Sequence, residues 1–224
     1  MPDEFQFVVD AERLMARAKS MPAPPIPPLR GRSVALQPVT PNDYGILQLL
    51  ETNNELALNW RYRGQTPSPE QWMSTLWSGV LAQFIVVAEG ADVPVGLVLA
   101  YRHSFQDQHA YIAGLRFDPD DRTPRFMRGI ALFLQYVFGS WEFRKLYLET
   151  PSYNLPQFAS GLGSFFEVEA RLKDHYTYAG QHWDLVTLAV YRERWQEQAA
   201  RVLETERVQK PTRVAVHFPA ETTR

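Results

Sequence analysis

Apolar residues recur along this chain at two spacings, and those spacings predict its elements. Short alternating or continuous apolar runs over 34–38, 83–88, 95–101, 110–117, 145–149, 165–178 and 183–191 predict β-strands. Spacings of three and four predict helices. One starts at Thr40-Pro41-Asn42-Asp43, threonine at the cap and proline in the first turn, and carries Leu47, Leu50 and Leu58. A second opens on the capping box Ser68-Pro69-Glu70-Gln71 and carries Trp72, Leu76, Trp77 and Val80 into Leu81. A third spans 124–138. A helical turn near 155–160 and a charged helix after Arg192, ending near residue 209, complete the series. The order is strand, two helices, three strands, helix, strand, short helix, two strands. It predicts a mixed sheet with helices on both faces, an α/β sandwich of one domain.

Outside that pattern lie two extensions. Residues 10–20 have the spacing of a short amphipathic helix with Leu14, Met15 and Ala18 on one side. Met21 to Pro28 is too proline-rich for a helix and is expected to run as an extended polyproline strap. The chain therefore divides into an arm and strap (1–28), a body (29–195) and a C-terminal helix and tail (196–224). Phe5, Phe7, Val8 and Val9 suit packing on the body or on a partner chain better than water, so a homodimer is expected.

Composition narrows the chemistry. The 224 residues are 45% hydrophobic, hold no cysteine and carry a formal charge of −2. A nucleic-acid binder needs a concentrated basic face, so no nucleic-acid partner is expected. No thiolate can ligate a metal or attack a substrate, and no metal is expected. The first residues lack a secretory pattern, and no run of about 18 apolar residues occurs; the expectation is a soluble, cytoplasmic protein without a membrane partner.

The most pointed feature is the bend between the 110–117 strand and the 124–138 helix. A strand that turns into a helix aims free N–H groups and the positive dipole end at one spot, which suits phosphate. Arg122, Arg125 and Arg128 crowd this bend, beside Asp118, Asp120 and Asp121. Guanidinium forks on a phosphate-bearing cofactor are one reading; a solvated loop balancing the aspartates is the other.

Several segments carry a family likeness: Gly31-Arg-Ser-Val-Ala-Leu-Gln-Pro-Val-Thr-Pro-Asn-Asp43, Ala131-Leu-Phe-Leu-Gln-Tyr-Val-Phe138, Phe143-Arg-Lys-Leu-Tyr-Leu-Glu149, Asn154, and Glu169 through Tyr176 to Trp183-Asp184. In that order the chain resembles the GCN5-related N-acetyltransferase (GNAT) superfamily, and within it the RimJ/RimL-type branch, over 29–195. The resemblance implies an α/β fold with a mostly antiparallel central sheet flanked by helices on both faces. It implies an N-acyltransferase moving an acetyl or other acyl group from acetyl-CoA or another acyl-CoA to a primary amine of a small molecule or a peptide N-terminus. Backbone at Gly114, Leu115, Arg116 and Phe117 would hold the pantetheine and thioester carbonyl. Arg122, Arg125, Phe126, Arg128 and Gly129 would surround the pyrophosphate, with Asn154 beyond. Relatives use a glycine-rich loop there; this chain reads Arg122-Thr-Pro-Arg-Phe-Met-Arg, so charge stands where bare main chain would. Phe158, Ser160 and Gly161 stand where relatives often have a tyrosine acid. Two other readings go with these departures: a GNAT-fold binding module that does not acylate, and an acyltransferase fed by an acyl carrier protein.

For proton transfer, His109 shares a strand face with Tyr111, Ala113, Leu115 and Phe117, a face that could line the acceptor cleft. His103 and His175 sit on neighbouring strands. Glu149 ends its strand beside the cleft, and Tyr153 is the nearest phenol to the missing acid. Each has an ordinary alternative as a surface or packing residue. Gly114 marks either a bulge or a closely packed neighbour. Trp60-Arg61-Tyr62-Arg63-Gly64, between two helices, could close over an acceptor, and Arg61 or Arg63 would favour one bearing a carboxylate.

Overall fold

A computed structural model describes residues 29–52, 60–90, 93–121, 123–159 and 161–204. The expected arm, strap and tail lie outside these residues, as do Leu58, Arg122 and Ser160. The strands are β1 (Val34–Pro38), β2 (Val80–Ala88), β3 (Val93–Ser104), β4 (His109–Arg116), β5 (Lys145–Pro151), β6 (Glu167–Tyr178) and β7 (Gln181–Tyr191). They form one sheet in the order β1-β2-β3-β4-β5-β7-β6. Every pairing is antiparallel except β4 with β5. Among the described residues the α-helices are α1 (Tyr44–Thr52), α2 (Pro69–Leu76), α3 (Arg125–Ser140) and α4 (Arg192–Glu204).

Strand alternation divides the core into two layers. Ala110 and Ile112 of β4 join α3 residues such as Ile130, Phe133 and Val137, with Trp195 and Ala199 of α4, on one face. Leu97, Leu99 and Leu115 pack on the opposite face with Leu47 of α1 and with Trp72 and Leu76 of α2. Helices on both faces of a mixed, mostly antiparallel sheet match the expected fold class.

The parallel β4–β5 pair requires a long crossover, and α3 supplies it. α3 packs over β1, β2 and β3, and missing side chains allow its close approach. A Cβ on Gly129 would lie 2.4 Å from a methyl of Val86, and one on Gly96 would lie 2.3 Å from the Phe126 ring. Gly114 has Phe126 3.0 Å from the position of a Cβ, and its register with β3 is unbroken. Of the two readings for Gly114, the packed neighbour holds. At the far end of α3, Arg192 donates to the carbonyl of Phe138 (2.7 Å), which the helix leaves open, and to those of Trp141 and Phe143 (2.6 Å) just beyond it.

Two boundaries differ from expectation. Val80 and Leu81 belong to β2 rather than α2, because Gly79 at φ +67° turns the chain after Leu76. Trp77 consequently stays 44% exposed, its indole donating to the Tyr44 hydroxyl at 3.1 Å. Phe165 precedes β6: the N–H groups of Phe165 and Phe166 both return to the Gly161 carbonyl in a tight turn. Among the described residues no helix is long and apolar enough to cross a membrane.

The β6–β7 hairpin is pinned by Asp184, whose carboxylate accepts from the Asp174 N–H at 3.0 Å and from Arg171. Its own N–H donates to Ser152 Oγ at 3.2 Å, tying the hairpin to the 3-10 turn Ser152–Phe158. The Asp174 N–H, and then Arg171, hold the Asp184 carboxyl below the ordinary carboxylate range.

Two outcomes follow. Gly129→Ala lowers stability by about 1–3 kcal/mol through overpacking, and Val86→Ala in the same chain returns part of that loss, read from urea midpoints. Because folding depresses the Asp184 pKa, its contribution is complete above about pH 4 and disappears as pH falls through the lower folded-state value. Asp184→Asn therefore flattens the acid limb of a stability–pH curve; an unchanged limb refutes the assignment.

Candidate active site

Strands β4 and β5 pair over only three positions, His109 with Lys145, Ala110 with Leu146 and Tyr111 with Tyr147. Beyond them the strands part, because each is held by its other neighbour. β4 stays in register with β3 to Arg116, and β5 stays with β7 to Pro151. Alternate backbone groups of β4 past Tyr111 therefore face an opening instead of a partner strand. A cavity of about 630 Å³ sits there, between β4 residues Ala113 and Gly114 and β5 residues Leu148 to Pro151. Trp60, Arg61 and Arg63 close one side, and Asn154, Gln157 and Phe158 of the 3-10 turn close another.

The first wall is fastened by a buried carboxylate. Glu51, fully inaccessible to solvent, accepts from the indoles of Trp72 at 2.7 Å and Trp60 at 2.9 Å, and lies 3.2 Å from the Arg61 guanidinium. Arg61 also reaches Gln83 Oε1 at 3.3 Å and the carbonyls of Thr75 and Leu76 at 3.4 Å. A buried carboxylate is tolerated when its lone pairs are filled this way. From this anchored pair the chain makes two successive turns, Arg63 N–H to the Trp60 carbonyl and Gln65 N–H to the Tyr62 carbonyl. Arg63 is left in the left-handed region at φ 51°, its guanidinium 4.0 Å over the Tyr176 ring.

A third cavity arginine, Arg102, enters through a bulge. The β3–β4 register slips between Tyr101 and Ser104, and Arg102 there also has positive φ, 43°. The slip aims its guanidinium at Glu149, 2.7 Å away, and across the rings of Tyr111 (4.5 Å) and Tyr101 (5.0 Å). A left-handed conformation costs a non-glycine residue about 1–3 kcal/mol, so two arginines on one cavity wall carry strain that surrounding contacts must offset. Burial, and then the neighbouring Glu149 charge, push the Tyr111 hydroxyl above its ordinary pKa, which keeps it protonated.

The structure brings some sequence candidates together and separates others. Glu149, Gly114 and Asn154 line the cavity, as do Arg61 and Arg63. His109 and Tyr111 do not. They occupy the closed, paired end of β4, where His109 lies edge-on to Tyr147 at 5.6 Å and Tyr111 is 5.1 Å from Tyr147. Tyr153 is also outside the lining, between Tyr178 and Trp183 with ring centroids 5.2 Å from each. Burial raises its pKa. His103 lies against Phe105 with the rings tilted, and His175 is exposed.

Near the bend, Leu115, Phe126 and Gly129 are packing residues, buried between sheet and helix. Phe117 is partly buried in the α1–α2 layer. Arg116 donates to the Asp121 carbonyl at 2.8 Å and lies over Phe126, and Arg128 donates to Ser33 Oγ at 3.0 Å. The loop also partners itself: Asp118 accepts from the Asp120 N–H, and Asp121 from the N–H and hydroxyl of Thr123. Arg125 is exposed at the first turn of α3, whose start has no side-chain cap.

Sequence reading missed Arg102 and Tyr176, which line the cavity, and Glu51, which anchors its wall from beneath. Glu51 had a signal: it follows Leu47 by four residues and so shares the apolar face of α1. Arg102 and Tyr176 had none, since a bulge and a stacking partner across the cavity leave no local pattern.

No family model and no curated protein matches this chain. Solved structures do. A spermidine N-acetyltransferase from Vibrio cholerae, solved in complex with CoA and spermine, aligns with a TM-score of 0.62 at 17% identity, over 73% of this chain and 98% of that one. A probable acetyltransferase of the GNAT family from Chromobacterium violaceum aligns with a TM-score of 0.60 at 20% identity, over 77% and 89%. The chain has the GNAT fold.

Removing the Glu51 carboxylate strands two indoles and a guanidinium. Glu51→Leu therefore lowers unfolding free energy by about 3–5 kcal/mol, and Glu51→Gln, which keeps one acceptor, by less. Denaturant titration reads both; a neutral Glu51→Leu would refute the anchoring role.

Proposed function

We propose that this protein is an N-acyltransferase that moves an acyl group from acyl-CoA to the primary amine of a small molecule. The observation that carries the reading is the parting of β4 from β5 beside an ionic cleft. An extended acyl-thioester arm fits an opening flanked by unpaired β4 backbone, where Gly114 is exposed and offers no side chain. At the phosphate end stand Arg125, exposed beside Asp121, and the uncapped first turn of α3, while the N–H groups of Asp120 and Thr123 are already engaged. The fold likeness supports the same reading: the Vibrio protein's structure holds CoA with spermine.

In this reading the free amine attacks the thioester carbonyl, forming an N–C bond. The tetrahedral intermediate then breaks its C–S bond, and the amine's proton ends on the departing thiolate to give amide and thiol. Backbone N–H groups of β4 facing the opening stabilise the oxyanion. Glu149, oriented by Arg102, aligns the ammonium and accepts its proton. Asn154 contacts the donor's arm. Protonated Tyr111 buttresses Arg102 from behind and stays out of the cleft.

The self-partnered Asp118–Thr123 loop favours one rival, a GNAT-fold module that binds without acylating. Calorimetry with acetyl-CoA, paired with thiol release in the presence of primary amines, separates the two. Saturable acetyl-CoA binding is expected, weakened about fivefold by Arg125→Ala. Glu149→Gln is expected to reduce kcat/KM by about a hundredfold while leaving acetyl-CoA affinity intact. An absence of binding to any acyl-CoA at millimolar concentration would sink the enzyme reading.

A further inference from the structure

Resting on that acyltransferase reading, we propose that the acceptor amine also carries a carboxylate, which Arg63 grips from its seat on Tyr176. Charge balance in the cavity wall is the starting point. Three arginines line it: Arg61, Arg63 and Arg102. Arg61 is matched by buried Glu51 at 3.2 Å, and Arg102 by Glu149 at 2.7 Å. Arg63 makes no ion pair among the described residues; its contact is the Tyr176 ring at 4.0 Å. Among the described residues, one positive charge on this wall is therefore without an ion-pair partner.

Its presentation is specific. Centred 4.0 Å over the Tyr176 ring, the guanidinium makes no side-chain hydrogen bond among the described residues, which leaves N–H donors in the planar fork that fits a carboxylate. The conformation is held in place from below, since the turn begins at Trp60 and Arg61, both fastened to Glu51. A single guanidinium suits a monoanion; a phosphate dianion would call for a second free cation. The remaining lining supplies an apolar body site through Trp60, Val80, Leu99, Leu148 and Phe158. The acceptor class that follows has an amine for Glu149, an apolar middle and a carboxylate for Arg63, as in an apolar amino acid or short peptide. A linear diamine lacks the anion and adds a repelled cation.

The experiment measures affinity and transfer separately. Leucyl-leucine, leucyl-leucinamide and a linear diamine are titrated into the full chain by calorimetry, and acetyl transfer to each is followed by thiol release. The free acid is expected to bind at least about tenfold more tightly than its amide or the diamine. In Arg63→Gln the acid-to-amide ratio is expected to fall to within about twofold, and Arg63→Lys, which keeps charge without the fork, to recover part of it. Equal or tighter binding of the amide or diamine, or no binding of any of the three, overturns the inference. Transfer to amines with no preference for the acid overturns it while leaving the acyltransferase reading standing. A free-acid preference that depends on Arg63, without transfer, supports the carboxylate site and refutes catalysis.

Discussion

The divergence of β4 from β5 after three residue pairs is the constraint on which the candidate site depends. Parallel strands pair only through a crossover, and this crossover packs away from the seam it creates. α3 lies over β1, β2 and β3 because Gly129 admits the methyls of Val86 and because Gly96 and Gly114 leave a seat for Phe126. β4 is thereby fixed to β3, while β5 is fixed to β7. Backbone groups that would close a continuous sheet are left facing a cavity, where a bound molecule can use them.

What lines that opening is set by polar contacts. Glu51 gathers two indoles and a guanidinium into a rigid wall; Asp184 fastens the β6–β7 hairpin, and through Ser152 the 3-10 turn, to the other side. Between them stand Arg63 and Arg102, both in left-handed backbone. Strain accumulates where surrounding structure over-determines a conformation, and here it presents two cations to one cleft. Arg61 and Arg102 have ion-pair partners while Arg63 has none among the described residues, and that difference is what makes Arg63 informative about a ligand.

At the bend before α3, free helix N–H groups with Arg122, Arg125 and Arg128 suggested an anion site, and a solvated loop balancing its own aspartates was the other reading. In three dimensions Arg116 and Arg128 have protein partners, and the aspartates hold the loop's own N–H groups. A local stretch of sequence shows how many charges stand near a bend but not which of them already hydrogen-bond elsewhere in the protein.

Much of the architecture was legible in the chain. Alternation and capping residues gave all seven strands in order, the helices around them and the strand face shared by Tyr111, Ala113 and Leu115, because periodicity is local and burial enforces it. Glu149, Gly114, Arg61 and Arg63 were also within reach, each sitting at a strand end, in a strand that faces the cleft or in a connecting turn. Tertiary structure alone decided that Gly114 is a seat for Phe126, that His109 and Tyr153 stand outside the cleft, and that Arg102 and Tyr176 stand within it. Those facts depend on a bulge, on strand divergence and on contacts between residues far apart in sequence, for which a linear pattern holds no signal.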